Sequence, residues 1–344
     1  MAEIEKLMGV SAADIEKVMG VSAGDIETVM GVELVTSQSY MGNRAVALGA
    51  GQVNTGIINV IEYKAMSSDS DTLDFGDLST VRKHVATVGN DTRAVGMSGI
   101  TGGGGTQVNT IEYITIASTG NTTDFGDSTQ ARSRAGGMGS GTRGIHHTGY
   151  VWPDRVDTLD YITVASTGDA TDFGNAIRNT ASAHSGNAHS TRGIFWMGWD
   201  GDYSNLDANY ITFASTGNAS DFGDWSAAVA ETAAIGLIES KNIWGGGYTS
   251  GAGSEWATME YINPNSTGNT TSQGDLGSAT VGAAGKFTNG TRGELWGGSY
   301  YAHSEVQKIT NIASDGDASH AGNVRDPSGG SNRARDAWGG WTGD

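Results

Sequence analysis

Aromatic rings with carboxylates close to them in sequence are the residues best suited to meet a ligand: Tyr150, Trp152 and Asp154; Trp199, Asp202 and Tyr203; Tyr248 and Trp256; Tyr300, Tyr301 and His303. A flat ring stacks on the apolar face of a sugar or fills a pocket in another protein, while a nearby carboxylate hydrogen-bonds hydroxyl groups. These residues lie in or beside segments that interrupt an otherwise repeating sequence: 52–55, 101–107, 150–155, 199–205, 248–255 and 299–304. Function concentrates where repeats differ, so Tyr150, Trp152, Trp199, Tyr203, Tyr248, Trp256, Tyr300, Tyr301 and His303 are the expected ligand- or partner-binding set. Capping the ends of the elements that carry them is the competing structural role.

Catalytic constellations are thin. The adjacent histidines His146 and His147 would point to opposite faces of a strand, which argues against a shared metal. With no cysteine there is no disulfide, thiolate nucleophile or thiolate metal site. No spacing singles out a carboxylate pair for glycosidase chemistry among the 38 acids. The expectation is a non-enzyme with no cofactor and no metal. The acids around Asp-Phe-Gly (Asp124 and Asp127, Asp172, Asp221 and Asp224) are oxygen-rich enough to suggest calcium, but no Asp-x-Asp-x-Asp-Gly loop is present. Ser-Thr-Gly-Asn, just upstream, reads as a turn whose Asx side chain bonds its own backbone.

The elements that must position these residues are written in a long repeat. Tyr113–Asp127 recurs as Tyr161–Asn175 and Tyr210–Asp224 and, more worn, as Tyr63–Asp77 and Tyr261–Asp275, at a spacing of about 50 residues. One column reads Arg44, Arg93, Arg143, Arg192, Lys241, Arg292 and Arg335, each before a short apolar strand that runs into glycine. A residue repeated in every unit reads as architectural, bonding carbonyls or carboxylates between neighbouring units. A second column, Tyr63, Tyr113, Tyr161, Tyr210, Tyr261 and Ile309, lies in alternating strands, and a third is Phe75, Phe125, Phe173 and Phe222. A fourth strand, rich in Ala, Gly and Ser (131–139, 181–187, 227–235, 281–287), suits the crowded inner position beside a central channel. Four strands per unit predict a β-propeller of six or seven four-stranded blades over 33–344, its terminal strand near 334–341 pairing with 33–42 to close the ring.

A shorter repeat precedes it. Ile-Glu-Lys-Leu-Met-Gly-Val at 4–10 recurs every 11 residues as Ile-Glu-Lys-Val-Met-Gly-Val at 15–21 and Ile-Glu-Thr-Val-Met-Gly-Val at 26–32. Ser11 and Ser22, with Asp14 and Asp25 three positions on, look like helix N-caps, and Gly9, Gly20 and Gly31 like helix stops. Residues 1–32 are therefore predicted to be helical turns too small to bury a core, which either pack on the propeller or, the favoured reading, dock on a partner chain through Ile4, Ile15, Val18, Ile26 and Val29.

Bulk composition narrows the partners. A formal charge of −18 disfavours nucleic acid and anionic membrane. No apolar run reaches the roughly 18 residues of a membrane span, and no signal-peptide pattern opens the chain, so synthesis in a cytosol is expected. Fifty-four glycines against three prolines suit many tight turns.

Strands ending in Gly245-Gly246, Gly297-Gly298 and Gly339-Gly340, with an aromatic on the next strand, resemble kelch-type β-propellers. The usual tryptophan of that repeat is missing, and the Phe of Asp-Phe-Gly stands in for it. The cysteine of copper-radical propeller oxidases and the Ser-x-Asp-x-Gly-x-x-Trp boxes of sialidases are absent from the sequence. The phrase Glu112–Asp127 resembles a repeat of structural proteins of aquatic bacteriophages, especially those of cyanobacteria, and the 11-residue units are similar to repeats of phage tail and fibre proteins. That resemblance implies a virion component, a tail, fibre or decoration protein made in the host cytoplasm. It would contact other virion proteins through its N-terminal repeats, form a homo-oligomer within the particle, and present a non-catalytic head for host recognition through protein or host-surface glycan. A carbohydrate-active enzyme on the same fold and a decoration protein without ligand are the alternatives.

Overall fold

The computed structural model describes residues 42–52, 56–102, 105–181, 186–189, 191–201, 205–249, 254–298, 305–325, 335–336 and 340–343, with six short strands before them. The described residues form a six-bladed β-propeller. Blade two is representative: Ala86–Gly89 is innermost, Arg93–Thr101 and Thr106–Thr115 follow, and Thr123–Asp127 is outermost, all antiparallel. Blades three to six repeat this order, beginning at Gly136–Gly139, Asn187–Ala188, Ala233–Ile238 and Ala284–Thr288. The Ala/Gly/Ser-rich strand is thus the inner one, as its small side chains require.

Blade one takes its inner strand from the other end of the chain. Gly340–Gly343 pairs with Ala47–Arg44, and Arg335–Asp336 with Gln52 and Gly51. The ring therefore closes on Arg44–Gln52 and not on 33–42. Arg335 belongs to this inner segment and does not open a seventh blade. Both differences have one cause: a propeller must cover the inner edge of its first blade, and the strand left for this is the last one.

The N-terminal repeat is also corrected. Lys6–Leu7 pairs with Val10–Ser11, Lys17–Val18 with Val21–Ser22, and Thr28–Val29 with Val32–Glu33, and none of its described residues is helical. Ser11 and Ser22, expected as helix caps, lie in strands. β-branched valines favour extended backbone, and the two residues between each strand pair, Met then Gly, match the length of a tight hairpin loop. Ile4, Ile15 and Ile26 lie outside the described residues; Val18 and Val29 are in these strands.

The repeated residues are spent on joining blades. In blades one to four the Arg of the column lies over the Tyr of its own blade, with Arg44, Arg93 and Arg143 at 4.4, 4.5 and 4.9 Å from the ring centroids of Tyr63, Tyr113 and Tyr161, and Lys241 lies over Tyr261 in blade five. In blades one to four the Tyr meets its Phe edge-on, as Tyr113 does Phe125 at 5.9 Å. The guanidinium then donates to carbonyls of the next blade: Arg44 to Ile116 and Ala117, Arg93 to Val164 and Ala165, Arg143 to Phe213, Arg192 to Pro264. In the opposite direction the Ser-Thr-Gly-Asn turn reaches back to the preceding blade. The Gly168 N–H donates to Phe125 O at 2.7 Å, and Asp169 Oδ1 accepts from the Asp127 N–H at 3.0 Å. The Asx side chain thus bonds the neighbouring blade's backbone and not its own. Blade one repeats the contact on blade six, Asp71 Oδ1 accepting from the Asn323 N–H at 2.9 Å. Among the described residues no three His, Asp or Glu side chains gather as a metal site.

Candidate recognition face

Antiparallel strands send alternate connections to opposite ends of a blade. The Ser-Thr-Gly-Asn clasps occupy one face, so the variable connections and the links from outer to next inner strand share the other. Entry to the variable connection is bent by a β-bulge. In blade three the register shifts between His147 and Gly149, where Thr148 and Gly149 have φ of 52° and 118°. A Cβ at Gly149 would stand 2.9 Å from Ser133 O, so glycine is required at this bend. The next residue re-enters pairing: Ile100 with Lys83 in blade two, Tyr150 with Ser133 in blade three, Trp199 with Ala181 in blade four, Tyr248 with Ala230 in blade five. Three consecutive blades therefore carry an aromatic at one register position.

Trp152 is 77% exposed, the most open large apolar side chain among the described residues. Its backbone is held: the Trp152 N–H donates to Gln107 Oε1 at 3.0 Å, and Gln107 Nε2 donates to Ser133 Oγ at 3.0 Å and to Tyr150 O. Gln107 comes from blade two, so the loop of blade three is fixed by its neighbour. Tyr150 meets Trp152 edge-on at 5.8 Å. Arg155 lies 3.9 Å over the Trp199 ring, linking blades three and four. Tyr248 is half-buried in a short added sheet. Trp256 packs partly buried against the cluster containing Trp196, Trp225 and Trp244, so it supports the face more than it displays itself. Tyr203, Tyr300, Tyr301 and His303 lie outside the described residues.

His146 and His147 do point apart. The Arg132 guanidinium donates to His146 Nδ1 and, at 2.9 Å, to Asp160 Oδ2, while the His147 ring lies 4.4 Å from Phe195. All of this is buried, and burial, reinforced by Arg132, pushes the His146 imidazole well below its usual range. One column escaped the sequence reading: the residue before each Tyr. Glu112 takes the Ser79 N–H at 3.0 Å and pairs with Arg82; Asp160 takes the Thr129 hydroxyl at 2.6 Å; Asn209 takes the Ile177 N–H at 3.0 Å. The signal was present as a polar residue inside an apolar strand. No protein-family model matches the chain, and no curated protein matches it.

Proposed function

We propose that this chain is a non-catalytic recognition protein, a bacteriophage virion component whose propeller presents the variable face to a host-surface glycan or a neighbouring virion protein. The observation that carries the reading is Trp152: a ring 77% exposed on a backbone pinned from the adjacent blade. Pre-organised aromatics lose little conformational freedom on binding, and they dominate the energetics of many interfaces. The residues common to the blades are engaged in contacts between blades, which leaves the variable connections for recognition. The virion assignment rests on the resemblance of the Glu112–Asp127 phrase and of the 11-residue units to phage structural proteins. The N-terminal repeats are assigned to docking in the particle, because isolated two-residue hairpins are marginal by themselves.

Binding of the purified full chain to host cells or extracted host polysaccharide tests this. Trp152→Ala and Tyr150→Ala should each weaken binding about 5- to 150-fold, the range for a hot spot worth roughly 1–3 kcal/mol, with an unchanged melting temperature. Undiminished binding by the double variant would reject the face, and release of sugar from the polysaccharide would reject the non-catalytic reading.

A further inference from the structure

One guanidinium on the variable face is placed without an acceptor. Arg155 lies 3.9 Å over the Trp199 ring, and a Cβ at Gly201 would stand 3.6 Å from its Nη2, so blade four brackets the group. Among the described residues it donates to no carbonyl and pairs with no carboxylate, and its Nε is buried with no partner, which leaves Nη1 and Nη2 as the accessible donors. Every other arginine whose side chain the structure describes bonds a carbonyl or a carboxylate.

Across the hairpin from the place of Tyr150, where blade three has Arg155, blades one, two and five have Ile57, Gln107 and Glu255. Gln107 uses this place to fasten the next blade, giving its amide N–H groups to Ser133 Oγ and Tyr150 O and taking the Trp152 N–H. Arg155 reaches toward the next blade in the same way and makes no hydrogen bond there. Joining blades therefore does not account for its five donors, and ordering so long a side chain carries an entropic cost. Tyr150 and Arg155 are directly opposite in the hairpin, so their side chains leave the same face of the sheet, the one turned to Trp199. Trp152 stands at the hairpin tip between them, 77% exposed, its ring edge-on to Tyr150. An open indole and an oriented guanidinium thus share one strip of surface about two residues, or ~7 Å, along the strand.

We propose that this strip binds a uronic-acid-type sugar, its carboxylate accepting from Nη1 and Nη2 of Arg155 and its pyranose stacking on Trp152. This rests on the variable face being a glycan-recognition face. A guanidinium presents a planar fork that matches the two oxygens of a carboxylate, and stacking on Trp199 holds that fork in place before the ligand arrives. A uronic sugar carries an acid and an apolar C–H face on the same ring, so one unit, or two in succession, answers both side chains. A peptide carboxylate brings no such face. The chain's charge of −18 sets the density of the ligand: a continuous polyanion would be repelled around the site, so acidic units spaced by neutral sugars fit best.

The test follows the Trp152 indole N–H and the Arg155 Nε–H of the full-length protein by ¹H–¹⁵N NMR. The titrants are the methyl glycosides of glucuronic and galacturonic acid, their neutral methyl esters, methyl glucoside 6-sulfate and N-acetylglutamate amide. At least one uronide should shift both signals, and its ester should need at least tenfold more ligand. Arg155→Gln should bring the acid down to the level of the ester and leave the ester unchanged, whereas Trp152→Ala should weaken both. Equal responses to acid and ester in the native protein, or none to either uronide at tens of millimolar, would overturn the proposal. A stronger response to the sulfate or to N-acetylglutamate amide would overturn the uronic-acid assignment. If Trp152→Ala loses extracted host polysaccharide while Arg155→Gln keeps it, the face stands and the acidic-sugar site falls; if both keep it, the face itself is wrong.

Discussion

Lys286 shows how much one side chain can do in a ring. It sits on the inner strand of blade six with φ of 70°, buried, and its ammonium donates to Gly137 O at 2.9 Å and to Thr87 O, 5.7 Å from the Trp341 ring centroid. One amine thereby joins the inner strands of blades six, two and three beside the closing strand. Burial pushes its pKa down to about 7, against 10.5 for an ordinary lysine. Between those values the unfolded chain holds a proton that the folded one has released, so stability should rise as pH climbs from about 7 toward 10.5. The gain should be on the order of a few kcal/mol, and a neutral amine still has two hydrogens for the two carbonyls. Denaturant midpoints at pH 7 and pH 9.5 should therefore differ for the native protein and much less for Lys286→Met. Equal slopes in the two proteins would remove Lys286 as the cause. Nothing in the sequence marks this lysine, because its environment is made by three strands far apart in the chain.

At the scale of elements, the clasp between the outer strand of one blade and the Ser-Thr-Gly-Asn turn of the next is the unit of cohesion. Gly126 has φ of 147°, and a Cβ there would stand 2.5 Å from Gly168 O. Gly126→Ala cannot be accommodated without separating the two backbones, so it should destabilise by about 1–3 kcal/mol or more. Removing only the side-chain part of the clasp with Asp169→Ala should cost about 1 kcal/mol, one hydrogen bond's worth. Thermal melts of the two variants should rank in that order; a Gly126→Ala protein as stable as the native one would show that the clasp is loose. Asp-Phe-Gly and Ser-Thr-Gly-Asn were both legible as repeats. Their meeting was not, since each pairs with a copy about 45 residues away and never with its own.

For the whole molecule, stability depends on ring closure. The closing strand buries Trp341 at 3% and Thr342 at 1% exposure; Thr87 Oγ1 donates to Gly340 O at 2.8 Å, and Thr342 Oγ1 to Lys286 O at 3.2 Å. The seam between blades six and one adds a buried Lys64–Glu294 pair at 2.8 Å, which Arg292 also joins. Nearby, Lys308 and Arg292 hold the Asp69 carboxyl below its ordinary range. Deleting Arg335–Asp344 should cost more than the roughly 3–5 kcal/mol expected for a buried Trp alone, and it also bares the Arg44–Gln52 edge. A lowered melting temperature with aggregation is the expected result, and an unchanged melt would mean that the ring does not need its last strand. A chain starting at Ser37 should instead melt as the full chain does, because the first blade begins at Arg44. On the proposed virion role it should also be missing from assembled particles, and normal incorporation would reject docking through the 11-residue repeats.

Sequence by itself determined the propeller, the inner position of the small-residue strand, the architectural role of the arginine column and the separate character of the connections that carry Tyr150, Trp152 and Trp199. Each of these follows from periodicity, and a repeat prints its strand count and its crowded positions directly into residue type. Tertiary structure decided what depends on which copy meets which. It set the blade count at six, placed Gly340–Gly343 against Arg44–Ala47, and paired the N-terminal valines as strands. It also put Trp196, Asn205 and Trp225 around one cleft. These three come from different strands and connections of blade four, and only the packing of that blade against its neighbour gathers them around one cleft.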